Sequence, residues 1–206
     1  MHNIFLTLPA LHLPSPPHPL TLHFPSHSHS HSHSLQLKEG VIFTKRDGTP
    51  WKSKYCMHVV EFQKRGLPHA HIALRLEGSD DEQPKTQAEI DRFISARLHQ
   101  VLNCDAPPAT CPCTDHRLQR LIAKDMTHVC KEGRCYPVGE PCVCSSHYPM
   151  DATETTYTDD KGYAIYRRDP EDVWVVPHNI DLCKKYWAHI NVELACSVKF
   201  IRYMHK

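Results

Sequence analysis

The sequence predicts an α/β fold: an antiparallel sheet with packed helices, carrying a Cys/His-rich insert and preceded by a disordered tail. Three observations predict it. Met57–Phe62 and His69–Leu76 are strand-forming runs on either side of Gly66, Leu67 and Pro68, residues suited to a tight turn. Apolar residues at Ile90, Phe93, Ile94, Leu98 and Val101 recur at helical spacing. Between positions 104 and 144 the chain concentrates seven cysteines and two histidines.

The elements follow in order. Residues 1–34 are rich in proline, histidine and serine and end in a Ser-His alternation over Ser26–Ser34. Such a segment cannot build a packed core, so disorder is expected there. Residues 35–206 form the folded domain. Val41-Ile42-Phe43 reads as a strand leading into the turn signal Asp47-Gly48-Thr49-Pro50. The hairpin comes next, then a helix over Asp80–Leu102 whose acidic residues lie first. Arg117–Met126 reads as a short helix inside the Cys/His-rich insert. Strands are expected at Tyr163–Arg167, Val173–Val176 and His189–Glu193, and helices at Ile180–Tyr186 and Cys196–Lys206.

Composition bounds the function. The chain has 206 residues, enough for one domain with a tail, and 40% hydrophobic content suffices for a core. The net charge of +1 does not announce a nucleic-acid partner. Such a partner would rest on local basic clusters: Lys64-Arg65, Arg167-Arg168, Lys184-Lys185 and Lys199–Lys206. No apolar run approaches the roughly 20 residues of a membrane span. Ten cysteines without a secretory signal point to a reduced, intracellular setting with metal-bound thiolates.

Two places carry candidate chemistry. His69 and His71 alternate with Ala70, so on a strand both point to one face, about 7 Å apart, and can share a divalent cation. Glu61 and Gln63 share a face of the preceding strand; either can supply a third ligand, and parity does not choose between them. The insert offers Cys104, Cys111, Cys113, His116, His128, Cys130, Cys135, Cys142 and Cys144, from which a structural zinc site needs four. Nothing nearby reads as a general base, so a catalytic zinc is not expected.

The string Glu61-Phe62-Gln63-Lys64-Arg65-Gly66-Leu67-Pro68-His69-Ala70-His71-Ile72 closely resembles the replication-initiator (Rep) nuclease domain of Helitron transposons, the Helitron helicase-like N-terminal domain. That domain belongs to the His-hydrophobe-His single-strand endonucleases. Cys144–Pro149, Gly162–Arg168, Val175–Asn179 and His189–Glu193 follow in the family's order, so the resemblance covers roughly Val41 to Lys206. Ile4–Leu8 is faintly similar to the family's first strand motif, and the start otherwise reads as a replacement of its N-terminal part.

The resemblance implies a metal-dependent single-stranded DNA endonuclease and strand transferase, working with Mg²⁺ or Mn²⁺ at His69, His71, Glu61 and Gln63. Tyr203 matches the first tyrosine of the family's pair and Lys206 the lysine before the second. The chain stops there, which implies a fragment truncated at its C-terminus. Lys64, Arg65, Arg167 and Arg168 would contact DNA; Gly162, Tyr163 and Tyr166 would line its path or form a hairpin edge, two readings that stay open. His189 and Asn191, on the strand before the tyrosine helix, are candidates to support the site, and no catalytic role is expected of them. The family's downstream helicase, its usual partner domain, is absent from this chain, and a nuclear location is implied. The alternative is a truncated or domesticated, inactive remnant that binds DNA or zinc.

Overall fold

The computed structural model describes residues 3–9, 52–62, 68–78, 83–84, 86–102, 104–107 and 109–195, with positions 3–9, 61–62 and 68–69 described as backbone. Strands β1 (Asn3–Pro9), β2 (Ser53–Phe62), β3 (Pro68–Leu76) and β6 (Asn191–Ala195) form one sheet in the order β2-β3-β1-β6, with every neighbouring pair antiparallel. A two-residue pair, β4 (Tyr157–Thr158) and β5 (Ala164–Ile165), forms a second, separate sheet. The helices are α1 (Gln87–Phe93), α2 (Thr114–Asp125) and α3 (Ile180–Tyr186), with a 3-10 turn at Pro170–Asp172.

Alternation along β3 sends Ile72, Leu74 and Leu76 to one face, each at most 2% exposed. They pack with Ile90, Phe93 and Ile94 around α1, Leu182 of α3, and Ile190, Val192 and Leu194 at β6. Tyr166 is buried in this cluster, and its hydroxyl oxygen accepts the Leu194 N–H at 2.7 Å. A second cluster joins Leu118, Ile122 and Met126 of the α2 region to Val175, Val176 and Cys183. The Arg117 guanidinium lies 3.8 Å from the centre of the Trp187 ring and adds a cation–π contact between α2 and the end of α3.

The hairpin, the insert helix and α3 agree with the sequence. Four expectations do not survive in full. Asn3–Pro9, read as part of the disordered tail, is an inner strand paired on both sides. The helix expected over Asp80–Leu102 is short. A capping box of Thr86 and Glu89 starts it at Gln87. It stops at Ile94 because Ser95 exchanges backbone hydrogen bonds with His178, and the Asn179 amide takes the Phe93 carbonyl at 2.8 Å. Val173–Val176 is not a strand. It leaves the 3-10 turn and makes one isolated bridge, Val175 to Thr127, while its valines enter the second cluster. The strand expected over Tyr163–Arg167 shrinks to the two residues of β5. Positions 10–51, including the Val41 strand, and the expected helix Cys196–Lys206 lie outside the described residues. Among the described residues no helix is long and apolar enough to cross a membrane.

Candidate metal centres

The first candidate lies on the hairpin. The β2–β3 register pairs Glu61 with His69 and Val59 with His71, and the β1–β3 register pairs Thr7 with His71. Directly opposed residues share a sheet face, so positions 61, 69 and 71 belong to one face, with position 191 of β6 opposite Thr7 on the same side. The opposite face carries Ile72 and Leu74, so the hydrophobic core fixes which way the His71 position looks. His71 itself is half-buried. Gln63, Lys64 and Arg65 in the turn, and Tyr203 and Lys206 at the end, lie outside the described residues.

The structure corrects several residues of the expected DNA path. Arg168 is 4% exposed, and its guanidinium donates to the carbonyls of Ala96, Asp172 and Val175. That role is internal: it ties the 3-10 turn to the segment after α1. Tyr166 is equally committed to the core. Arg167 and Tyr163 remain exposed. His189 lies with its Nδ1 2.5 Å from the Asp125 carbonyl, at the C-terminus of α2. Asn191 donates to Glu193 at 2.8 Å on the sheet edge.

The insert contains the second and third candidates. Eight of its nine candidate ligands separate into two groups, Cys104, Cys111, Cys113 and His116, and His128, Cys130, Cys135 and Cys144. In each group the four donor atoms lie within 4.8 Å of one another, which is the donor set and spacing to hold a metal ion. Cys142 stands in neither. The sequence spacing suggested one site; it could not show that the insert helix divides the ligands into two sets.

Local structure builds each group. Cys113 is the N-cap of α2, and its sulfur accepts the His116 N–H at 3.5 Å while lying 3.2 Å from His116 Nδ1. The Cys104 and Cys111 sulfurs are 3.5 Å apart, and Arg120 steadies the loop by donating to the Cys111 carbonyl at 3.0 Å. In the second group His128 Nε2 lies 3.2 Å from Cys144 Sγ and 3.6 Å from Cys135 Sγ. The His128 ring stacks on Tyr148 at 4.3 Å between centroids, and its backbone N–H bonds the Trp174 carbonyl at 2.8 Å.

The electrostatics suit cation binding. The His116 N–H, at the start of the helix, draws the Cys113 thiol down to about 7, near its thiolate form at neutral pH. Burial lowers His128, assisted by Arg134, and keeps the ring in the neutral form a metal requires. Burial and the neighbouring thiols Cys144 and Cys142 push Cys130 up to about 12. Crowded thiols cannot all ionise alone, and a divalent cation at their centre removes that obstacle.

No family model matches the chain, and no curated protein matches it.

Proposed function

We propose that the chain is a metal-dependent single-stranded DNA endonuclease and strand transferase of the Rep type, working in the nucleus. What carries the reading is the strand register that opposes Glu61 to His69, with His71 two positions along the same face. Two imidazoles and a carboxylate form a mixed N/O donor set suited to Mn²⁺ and Mg²⁺. A metal bound there draws charge off the scissile phosphate. His69 and His71 of β3, with Glu61 of the paired β2, hold the site on a sheet face whose opposite side is locked in the core. Tyr203 supplies the nucleophile: its phenol oxygen attacks phosphorus, the bond to the 3′ oxygen breaks, and the 3′-hydroxyl leaves with the proton. The 5′-phosphate stays on the tyrosine, so the bond is kept for transfer without ATP. Exposed Arg167, with Lys64 and Arg65, would draw in the DNA backbone. In this reading the Cys/His groups carry structural zinc and take no part in the chemistry.

The test is covalent capture of labelled single-stranded DNA in Mn²⁺. The chain should form an adduct that the His69→Ala, His71→Ala double variant and Tyr203→Phe both lose. An adduct that persists in Tyr203→Phe would show a different nucleophile. No adduct in the unaltered chain would leave the inactive DNA- or zinc-binding remnant as the reading.

A further inference from the structure

We infer that the chain binds two zinc ions, one in each Cys₃His group, and that each replaces a hydrophobic core for a different segment. The inference rests on the zinc half of the reading above and is independent of the nuclease half.

Distance is the first argument. Tetrahedral zinc, with bonds of about 2.3 Å to sulfur and about 2.0 Å to nitrogen, requires ligand edges of about 3.8 Å for two sulfurs and about 3.6 Å for sulfur and nitrogen. The Cys104–Cys111 edge is 3.5 Å, Cys113–His116 is 3.2 Å, and His128 lies 3.2 and 3.6 Å from Cys144 and Cys135. Each group supplies four ligands with no carboxylate among them, which makes a closed shell with three soft donors.

Burial is the second and independent argument. Among the described residues from 104 to 113, Cys111 is the only one buried; from 127 to 147, Cys135 and Cys144 are the only two. Every buried residue in these loops is therefore a candidate ligand. Their large apolar residues, Val129, Val138 and Val143, are 61 to 77% exposed and hold nothing. A segment that buries only sulfur has no hydrophobic reason to keep its shape, and a metal supplies one.

The two ions do different work. The first joins the 104–113 loop to the opening turn of α2: Cys113 caps the helix, His116 sits one turn in, and thiolate charge lies at the helix N-terminus where it is favoured. The second closes the 128–144 loop and fixes the His128 ring, through Nε2, against Tyr148. Tyr148 packs on the second hydrophobic cluster, so this ion fastens the loop to the body.

Metal content of the full chain, purified under reducing conditions, decides the matter. His27, His29, His31 and His33 are replaced by serine throughout, which removes the Ser-His repeat as a metal-binding tract. The expected content is two zinc ions per chain, falling to one in Cys111→Ser and one in Cys144→Ser, and to none when both are changed. Cys142→Ser should keep both. Replacement by Co²⁺ gives a readout confined to thiolate-bound metal, and its sulfur charge-transfer band should halve in either single variant. One zinc or none in the unaltered ligand set overturns the inference, whatever the variants do, and so does a loss in Cys142→Ser. Two zinc ions without a DNA adduct would sink the nuclease reading and leave this one standing.

Discussion

On the core face of the four-stranded sheet the buried positions include Ile72, Leu74 and Leu76 of β3, with Val192 and Leu194 of β6 on the same face. In the loops on either side of α2 the buried positions are Cys111, Cys135 and Cys144. One region removes hydrocarbon from water, which stabilises gradually with area and tolerates small changes. The other gathers ligands that are costly to crowd together until an ion binds, so its stability comes in whole steps. The contrast explains how a chain can hold two loops of mostly exposed residues beside an ordinary core.

The largest expected effect separates the regions outright. Structural zinc binding contributes on the order of 10 kcal/mol per site in small folded units. Chelation of the chain should therefore abolish hydrogen-exchange protection across 104–113 and 127–147 while β3 and β6 stay protected. Equal loss in both regions would show that the distinction is false.

Core truncation should act in the other direction. Leu74→Ala, at a position 1% exposed, should cost about 2–5 kcal/mol, read from a denaturation midpoint. Zinc content should not change. A variant that lost zinc in proportion to its stability would mean that sheet and insert fold as one unit.

Acid should sharpen the comparison through His178, whose backbone exchanges hydrogen bonds with Ser95 after α1. It is fully buried, and its Nδ1 bonds the Val176 carbonyl at 2.9 Å while Nε2 has no partner. Burial lowers its pKa to about 4, against about 6.5 for an unfolded histidine. Its contribution is complete above about pH 6.5. As the pH falls toward 4 the unfolded chain takes up a proton that the folded chain refuses, so stability drops, by about 3 kcal/mol at most. A His178→Gln variant should lose this part of the pH slope. An unchanged slope would show that the ring does not titrate between the two states.

The smallest effect is local. Thr86→Ala removes the hydroxyl that accepts the Glu89 N–H at the start of α1, and should cost about 1 kcal/mol without touching metal content. No measurable cost would mean that packing of Ile90 and Phe93, rather than the cap, sets where this helix begins.

Legibility in the sequence followed the same division. The hairpin was readable because alternation and turn residues agree; α3 matches its expected range, and the structure adds the Asn179 cap that starts it. The long helix was misread because Ile94, Leu98 and Val101 match helical spacing by coincidence. The His178 and Asn179 hydrogen bonds that end the helix come from residues more than 80 positions away. Strand β1 showed only as the faint strand motif of Ile4–Leu8, discounted beside the proline- and histidine-rich sequence that follows it. The metal ligands were all visible as residue types, but their division into two sets depends on which side of α2 each loop returns to. Spacing alone does not encode that.

The position of β1 inside the sheet bears on how the molecule is made. Asn3–Pro9 is synthesised before both of its neighbours in the sheet, β3, about 60 residues later, and β6, about 180 residues later. For most of synthesis this strand has at least one open edge, and closing the sheet waits for Asn191–Ala195. Contacts this distant in sequence slow folding and leave strand edges available to other chains meanwhile. Asn3–Pro9 is thus the segment whose removal should most damage recovery of soluble protein.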